Sequence, residues 1–167
     1  MSTWILSLML LLQPPGVTPW RDSYLQTAET IAEVAKAEPV FAGEHGADRT
    51  AALLVAIGWF ESRFRPDAVG DNGRSLCMLQ VGESNLKALG VTREAMLTDL
   101  ATCLHAGLKM IRASFAVCEA NPLEERLGHY AAGGLGCRGV NESRHRVGLA
   151  MRLFRDHPPP ARQALND

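Results

Sequence analysis

The sequence predicts a mainly α-helical protein, folded as one domain of about six helices with one small β-hairpin. Apolar residues recur at helical spacing through most of the chain, and proline or glycine residues end several of these segments. One stretch, residues 66–75, carries instead the glycine, asparagine and aspartate residues of successive turns. At 167 residues, of which 47% are hydrophobic, the chain is long enough to bury a core and lacks the composition of a disordered protein.

The N-terminal segment, residues 1–20, contains an apolar run from Trp4 to Leu12. This run is shorter than the roughly 20 residues that span a bilayer, and it has the length of the apolar region of a signal peptide. No basic residue precedes it and no clear A-x-A cleavage site follows it. We therefore expect either an export signal, cleaved or retained, or a segment packed on the domain of residues 21–157. Residues 158–167, which begin with prolines, are expected to form a loose tail.

Within residues 21–157, six segments have the periodicity and the end signals of helices. The predicted helices are residues 23–38, stopped by Pro39; 48–60, with Asp48 as N-cap; 92–99; 100–118, with Asp99 as N-cap; 122–132, stopped by Gly133; and 142–157, with Asn141 as N-cap. Between the second and third of these helices, residues 76–81 (LCMLQV) follow a strong turn signal and are predicted as a strand of the hairpin.

The charge of the chain does not suggest a nucleic-acid partner. Its formal net charge is -1 and its isoelectric point is about 6.5, whereas nucleic-acid-binding domains are typically basic. Basic residues are dense only in residues 144–155, which we interpret as the solvated face of the last helix.

Four cysteines, an even number, are compatible with two disulfides formed in an oxidising compartment. They are Cys77, Cys103, Cys118 and Cys137. Of the three ways to pair them, we prefer Cys77 with Cys103 and Cys118 with Cys137. The alternative is four reduced thiols, buried as small apolar side chains. Because no C-x-x-C spacing occurs, a zinc site is not expected.

A carboxylate, Glu61, follows residues 51–60, which are apolar on nearly every side, as in a helix buried inside a domain. Glu61 is therefore expected where a buried helix meets a turn-rich loop. Partial desolvation there would raise the pKa of its carboxyl group and keep it protonated near neutral pH. Such a group can act as a general acid toward a leaving oxygen. The alternative is a helix-terminal glutamate paired with Arg63 or Arg65.

Three short motifs around Glu61 follow the order and spacing of a known family. Residues 61–68 have the pattern Glu-Ser-x-Phe-x-Pro-x-Ala, residues 73–81 have Gly-x-Ser-x-Cys-Met-Leu-Gln-Val, and residues 129–133 have His-Tyr-Ala-Ala-Gly. Together they resemble the lytic transglycosylase family, the soluble lytic transglycosylases of the lysozyme-like superfamily. The resemblance covers about residues 48–134. It implies a lysozyme-like helical domain with a small β-hairpin at its cleft.

The resemblance implies a role for five residues of these motifs. Glu61 would be the single catalytic acid/base, and Ser62 would help to position Glu61 or the sugar. Gln80 would hydrogen-bond the glycan, and Tyr130 would hold Glu61 or the bound sugar. Met78 belongs to the same motif as Gln80 and would also bind the substrate, although its apolar side chain favours the core.

By the same resemblance, the protein would be a peptidoglycan lytic transglycosylase, a lyase that acts on glycan strands of the cell wall. Glu61 would protonate the oxygen between N-acetylmuramic acid and N-acetylglucosamine. As a carboxylate it would then take the proton of the muramyl C6 hydroxyl, which attacks C1 and leaves a 1,6-anhydro end. This chemistry requires no metal or organic cofactor. The protein would act as a monomer outside the cytoplasm, in the periplasm or after secretion, or be carried by a secretion or phage assembly that penetrates the wall.

Two alternative functions remain open. A lysozyme-type hydrolase would need a second acid about 5–9.5 Å from Glu61, for which Asp67 and Asp71 are the nearby candidates, although both are also turn-forming residues. The other alternative is a glycan-binding component of an assembly that does not cleave its ligand. It is suggested by two departures from the family pattern, Cys77 in place of glycine and Ala131 in place of asparagine.

Overall fold

The computed structural model describes residues 1–12 and 21–161. Within these residues the chain forms eight α-helices and a three-stranded antiparallel sheet, which confirms the predicted fold class. The helices are α1 (Ser2–Leu12), α2 (Arg21–Ala37), α3 (Gly46–Ser62), α4 (Leu86–Leu89), α5 (Arg93–Thr98), α6 (Leu100–Val117), α7 (Gly128–Ala131) and α8 (Val140–Asp156), and the strands are β1 (Val69–Gly70), β2 (Ser75–Leu76) and β3 (Val81–Gly82). Residues 13–20 and 162–167, which are parts of the expected N-terminal segment and tail, lie outside the described residues.

Helix α3 forms the centre of the fold because it is apolar on nearly every side. Residues 51–58 are all buried, and α1, α2 and α8 pack around them. The helix begins at Gly46, so the prediction that Asp48 is its N-cap is wrong. Asp48 lies in the first turn, where its carboxylate meets the positive end of the helix dipole, and its Oδ2 lies 3.3 Å from Nδ1 of His45.

Helix α1 packs on α2 and α3 and contributes Trp4, Ile5, Leu8 and Met9 to the core. The indole Nε1 of Trp4 donates a 2.7 Å hydrogen bond to the carbonyl of His157, the residue that follows α8. The apolar run of the N-terminal segment is thus packed on the helical core. None of the helices in the described part of the chain is both long and apolar enough to cross a membrane.

Helices α5 and α6 begin close to where the sequence signals placed them, because both have capping side chains. The hydroxyl of Thr92 accepts a hydrogen bond from the backbone N–H of Ala95 (3.1 Å). The carboxylate of Asp99 accepts hydrogen bonds from the N–H groups of Ala101 and Thr102, at 3.0 and 3.3 Å. The prediction that Asp99 caps the long helix is confirmed, and each cap satisfies N–H groups that the helix itself leaves unpaired.

The continuous helix predicted over residues 122–132 is wrong. The chain forms a 3₁₀ turn at Leu123–Glu125 and then the separate short helix α7. The buried hydroxyl of Ser114, on α6, donates to the carbonyl of Arg126 (2.8 Å) and accepts from the N–H of Tyr130 (3.0 Å). These are the two backbone groups that would bond to each other in a continuous α-helix, and the inserted hydroxyl separates them.

A second buried serine, Ser143 of α8, acts on the same segment. Its hydroxyl donates to the carbonyl of Glu124 (2.7 Å) and accepts from the N–H of Leu127 (3.0 Å). Side chains of α6 and α8 therefore satisfy the backbone groups around the break, so the interruption leaves none of these groups unpaired.

Helix α8 begins where the chain leaves close contact with α7. A Cβ atom added at Gly139 would lie 2.7 Å from Cβ of Ala131 and 2.9 Å from the carbonyl oxygen of Gly128, so only glycine fits there. The helix starts immediately afterwards at Val140. Asn141 is consequently in its first turn, and the prediction that Asn141 is the N-cap is wrong.

The predicted β-hairpin is present as part of a three-stranded sheet, but the strand predicted over residues 76–81 is divided. Residues 76–81 do not form one strand: β2 ends at Leu76, β3 begins at Val81, and β1 pairs with the other edge of β2. The turn between them contains two residues with positive φ, Cys77 (64°) and Gln80 (50°). A continuous strand requires φ near -120°, so the chain reverses here and forms a third strand.

Two disulfides join Cys77 to Cys103 and Cys118 to Cys137, so the preferred pairing is confirmed. The first ties the turn between β2 and β3 to α6. The second ties the end of α6 to the loop before α8. Disulfides form and persist in oxidising compartments, and this pair therefore fits an extracytoplasmic protein.

Glu38, just after α2, joins that helix to α6. Its carboxylate accepts a 2.7 Å hydrogen bond from Nη1 of Arg112 and lies 2.8 Å from Nδ1 of His105. The hydrogen bond from Arg112 is the main reason that the pKa of Glu38 lies below its ordinary value. A carboxyl group with a lowered pKa in the folded state adds stability above its unfolded pKa, and this stability is lost as the pH falls through the folded pKa.

We expect Glu38→Gln to lower the free energy of unfolding by up to about 1 kcal/mol near neutral pH, the range of solvent-screened ion pairs. The low figure reflects the 34% exposure of the Glu38 side chain. In strong acid, where the wild-type carboxyl group is itself protonated, the difference between the two proteins should shrink. Urea unfolding at both pH values measures it, with Glu94→Gln, an exposed glutamate of α5, as the control. An equal difference at both pH values would contradict the ion-pair explanation.

Candidate active site

A cleft of about 340 Å³ lies between the small sheet and the helices α3, α7 and α8. Its polar lining comes from both sides. The sheet side contributes Asp71, Ser75 and Gln80, and the helical side contributes Glu61, Tyr130 and Arg146. The fold brings one predicted site residue from each of the three sequence motifs to this cleft, namely Glu61, Gln80 and Tyr130.

Glu61 stands where the buried helix α3 meets the cleft. The helix ends at Ser62, and Arg63 then adopts a left-handed conformation (φ 55°) that turns the chain away toward the sheet. The side chain of Glu61 is 17% exposed, so the carboxylate is open to the cleft on one side only. This is the partly desolvated position that the apolar sequence before Glu61 predicts.

Arg146 of α8 is the ion-pair partner of Glu61. Its Nε donates a 2.8 Å hydrogen bond to Oε1 of the carboxylate, and its Nη2 lies 2.7 Å from the same oxygen. The alternative partners expected from the sequence, Arg63 and Arg65, donate instead to the backbone carbonyls of Trp59 and Ser62. The expectation that one of these two neighbours neutralises Glu61 is therefore wrong.

The pKa of Glu61 is raised above its ordinary value, in the direction expected from the sequence. Burial is the largest cause, and the negative charge of Asp71 adds to it. The charge of Arg146 and its hydrogen bond to Glu61 oppose the rise without cancelling it. A carboxyl group in this setting holds its proton to a higher pH than usual, and its conjugate base is stabilised by the guanidinium once the proton has left.

Asp71 belongs to the tight turn on the opposite wall. Asp71 and Asn72 both have positive φ, 50° and 56°, as the turn signal in the sequence predicts. Oδ2 of Asp71 accepts a hydrogen bond from the hydroxyl of Ser75, which fixes its carboxylate at the cleft. Of the two acids considered from the sequence, only Asp71 lines the cleft; Asp67 is exposed and is not part of its lining.

Gln80 lies beside Asp71 and is held by the turn that carries it. Its Nε2 donates to the carbonyls of Cys77 (2.9 Å) and Ala68 (3.4 Å). Gly70 makes room for the amide, because a Cβ atom at Gly70 would lie 2.1 Å from Oε1 of Gln80. The side chain is therefore fixed in place before any ligand binds, which lowers the entropy cost of using it for recognition.

Tyr130 forms part of the helical wall. Its hydroxyl donates a hydrogen bond to the carbonyl of Leu79, in the turn that also carries Gln80. Burial raises the pKa of the phenol well above its usual range, and the nearby Glu61 carboxylate raises it further. Tyr130 is thus a neutral hydrogen-bond donor that connects α7 to the sheet across the floor of the cleft.

We expect Tyr130→Phe to lower the free energy of unfolding by about 1 kcal/mol, since it removes one buried hydrogen bond. The carbonyl of Leu79 loses its partner, while the aromatic ring keeps its packing. Urea unfolding of the two proteins under the same conditions measures the difference. Unchanged stability would mean that this hydroxyl makes no net contribution to holding the two walls together.

Two predicted site residues do not line the cleft. Ser62 is buried, and its hydroxyl donates to the carbonyl of Gly58 within the same helix (3.3 Å). Met78 is fully buried and lies against Gly58, where an added Cβ atom would be 3.2 Å from its Cε. Met78 therefore occupies the core that its apolar side chain favours. In this geometry Ser62 can influence the site only through the backbone of α3.

Arg146 is the cleft residue that sequence reasoning missed. It lies in residues 144–155, interpreted as a solvated face, and that interpretation holds for Arg144, whose side chain is 58% exposed. It is wrong for Arg146, whose side chain is only 13% exposed. A usable signal was present in the sequence: Arg146 lies four residues before Ala150 and seven before Leu153, both apolar, so it shares the apolar face of α8.

A second groove, of about 310 Å³, differs from the cleft in its chemistry. It is lined mainly by apolar side chains such as Leu53, Val147 and Phe154. Arg49 is the charged residue among the described residues that line it. Without a carboxylate, this groove lacks an acid or base for proton transfer.

Comparison of the chain with models of protein families, with curated proteins and with solved structures found no match. The resemblance carried by the three sequence motifs therefore remains a prediction.

Proposed function

We propose that the protein is a peptidoglycan lytic transglycosylase that cleaves the β-1,4 bond between N-acetylmuramic acid and N-acetylglucosamine. The observation that supports this most strongly is Glu61, a carboxylate with a raised pKa in a cleft whose lining includes Gln80 and Tyr130. Each of these residues comes from one of the three motifs on which the resemblance rests. Their meeting in one cleft is what the proposal requires.

The reaction uses one carboxyl group twice. Protonated Glu61 gives its proton to the glycosidic oxygen as the bond from that oxygen to C1 of the muramyl residue breaks. The resulting carboxylate then takes the proton of the muramyl C6 hydroxyl as O6 bonds to C1, which forms the 1,6-anhydro ring. Arg146, with its Nε hydrogen bond to Oε1 and its guanidinium charge, stabilises the carboxylate between the two steps. Because the attacking hydroxyl belongs to the substrate, no water is consumed.

One observation favours a second candidate, a lysozyme-type hydrolase. Asp71 lines the same cleft as Glu61, and its charge contributes to the raised pKa of that group. A second carboxylate beside the scissile bond is what hydrolysis with water requires. Against it, the carboxylate of Asp71 accepts a hydrogen bond from Ser75 within its own turn, which is a structural role.

The test is mass spectrometry of the fragments released from purified peptidoglycan sacculi, with Glu61→Gln as the inactive comparison. A transglycosylase releases muropeptides lighter by one water, with 1,6-anhydro ends, and Asp71→Asn leaves that product mass unchanged. Reducing-end products that disappear in Asp71→Asn would establish the hydrolase instead. If the wild-type protein and Glu61→Gln both release no fragments, and both sediment with sacculi, the chain is a glycan-binding component without catalysis.

The disulfides support a site of action outside the cytoplasm, where the glycan strands of the cell wall lie. The protein acts there as a monomer, in the periplasm or after secretion, or as part of a secretion or phage assembly that crosses the wall. Fractionation of cells that produce the protein, followed by thiol labelling of each fraction, tests the location and the oxidation state together.

A further inference from the structure

The turn of residues 77–80, which joins β2 to β3, has a conformation that most residues avoid. The φ angle is 64° at Cys77 and 50° at Gln80. In this left-handed region the Cβ atom of an L-residue crowds the following carbonyl oxygen, a clash that glycine escapes. A turn with two such residues persists only where the surrounding structure holds it.

Helix α6 holds this turn at two points. Cys103 of α6 forms the disulfide with Cys77. Four residues further along the same face, Gly107 leaves the space that Leu79 fills, because a Cβ atom at Gly107 would lie 2.2 Å from Cδ1 of Leu79. Cys77 and Leu79 are both fully buried. The turn is therefore fastened to α6 on both sides of Met78.

The fastened turn sets one wall of the cleft. The carbonyl of Leu79 accepts the hydrogen bond of the Tyr130 hydroxyl. The carbonyl of Cys77 accepts hydrogen bonds from the backbone N–H of Gln80 (3.1 Å) and from its side-chain amide (2.9 Å). Gln80 and Tyr130 both line the cleft with Glu61. A change of backbone conformation at Cys77 would consequently move the cleft side chains that depend on these two carbonyls.

We propose that Cys77 is a positioning residue: its disulfide with Cys103 holds the left-handed turn and thereby sets Gln80 and Tyr130 for substrate binding. The effect on catalysis rests on the proposed function, whereas the effect on the turn does not. A disulfide that only stabilises the fold does so by restricting the unfolded chain, and it has no influence specific to this turn. Variants with different residues at position 77 distinguish a positioning role in this turn from general stabilisation of the fold.

Two double variants lack the disulfide and differ by a single methyl group: Cys77→Gly/Cys103→Ala and Cys77→Ala/Cys103→Ala. Glycine adopts the left-handed conformation without help, whereas alanine does so only at a cost. We expect the alanine variant to release muropeptides from sacculi about 5–30-fold more slowly than the glycine variant, the ratio that this cost implies for one residue. Circular dichroism at the assay temperature verifies that both variants are folded.

The position of Gln80 is measured without substrate, by two-dimensional ¹H–¹⁵N NMR. The backbone and side-chain amide signals of Gln80 in the glycine variant are expected at the wild-type positions. In the alanine variant they are expected to shift or broaden. Should the alanine variant not fold, Cys77→Asn/Cys103→Ala takes its place, since asparagine tolerates the left-handed region better than alanine and less well than glycine.

Equal rates, or equal Gln80 signals, in the glycine and alanine variants would overturn the proposal. The disulfide would then only stabilise the fold. A slower alanine variant with displaced Gln80 signals supports it. If the wild-type protein releases no fragments at all, the proposed function fails, and the NMR comparison still decides whether Cys77 positions the turn.

Discussion

Replacing Glu61 by glutamine is expected to slow the release of muropeptides from sacculi by about 10²–10⁴-fold, the usual contribution of a general acid or base. Glutamine keeps the shape of the side chain and can still accept a hydrogen bond from Arg146. It has no proton to give to the glycosidic oxygen and no carboxylate to take one from the attacking hydroxyl. Chromatography of the soluble fragments near neutral pH measures the rate.

Glu38→Gln is the matched control for this substitution. Glu38 is also a glutamate that accepts a hydrogen bond from an arginine, and it does not line the cleft. Its variant is expected to cleave sacculi at close to the wild-type rate. If Glu61→Gln retained comparable activity, proton transfer would have to proceed through another group, and Asp71 would be the first to replace.

Replacing Arg146 by glutamine is expected to move the alkaline limb of the pH–rate profile to higher pH. Arg146 lowers the pKa of Glu61, whereas burial and the charge of Asp71 raise it. Without the guanidinium, the protonated form of Glu61 persists to higher pH. Tyr130, which contributes to the same cleft from α7, stays neutral in this range because burial raises its pKa well above the usual value. The alkaline limb of kcat/KM therefore reports the acid form of Glu61.

The same substitution is expected to lower the free energy of unfolding by about 1.5–3 kcal/mol at neutral pH, the range for hydrogen bonds to charged groups. The side chains of Glu61 and Arg146 are only 17% and 13% exposed, so solvent screens this pair weakly. The folded-state pKa of Glu61 is raised. The contribution of this carboxyl group to the free energy of unfolding is therefore full below its unfolded pKa, and it is lost as the pH rises through the folded pKa. The deficit of the variant should thus be larger in mildly alkaline than in mildly acidic solution. Urea unfolding at both pH values measures it.

Arg144→Gln provides the control on the same helix. Arg144 pairs with Glu125 at 2.6 Å, and its side chain is 58% exposed. Removing it is expected to leave the pH–rate profile in place and to affect stability less than the change at Arg146. Identical behaviour of the two arginine variants would contradict a specific role of Arg146 at Glu61.

Much of the helical architecture follows from local signals. The apolar sequence of α3 predicts its burial, and Asp99 predicts the start of α6 through its side-chain cap. The break at residues 122–132 has no local signal, because it depends on hydroxyl groups supplied by Ser114 and Ser143 from two other helices. A single-sequence argument has no access to such long-range hydrogen bonds.

The candidate site likewise contains some features that local sequence signals predict and others that depend on distant parts of the chain. Glu61 could be proposed from its position after an apolar helix, and the pairing of the cysteines was preferred correctly. Arg146 was missed because basic residues are dense around it in residues 144–155, although its spacing from apolar residues of α8 places it on the face that packs against α3. The positive φ at Cys77, which divides the predicted strand, depends likewise on a partner in α6.

The inserted hydroxyl of Ser114 also makes part of the cleft depend on α6. Helix α7 spans only Gly128–Ala131, far shorter than an isolated helix that is stable in water. Its backbone depends on α6 for the bond to the N–H of Tyr130, so α7 requires α6 for its stability. Local opening of α7 therefore removes Tyr130 from the cleft, while Glu61 stays at the end of the buried helix α3. Amide exchange at Tyr130 reports the opening of the cleft itself, which separates catalytic competence from the survival of the helical core.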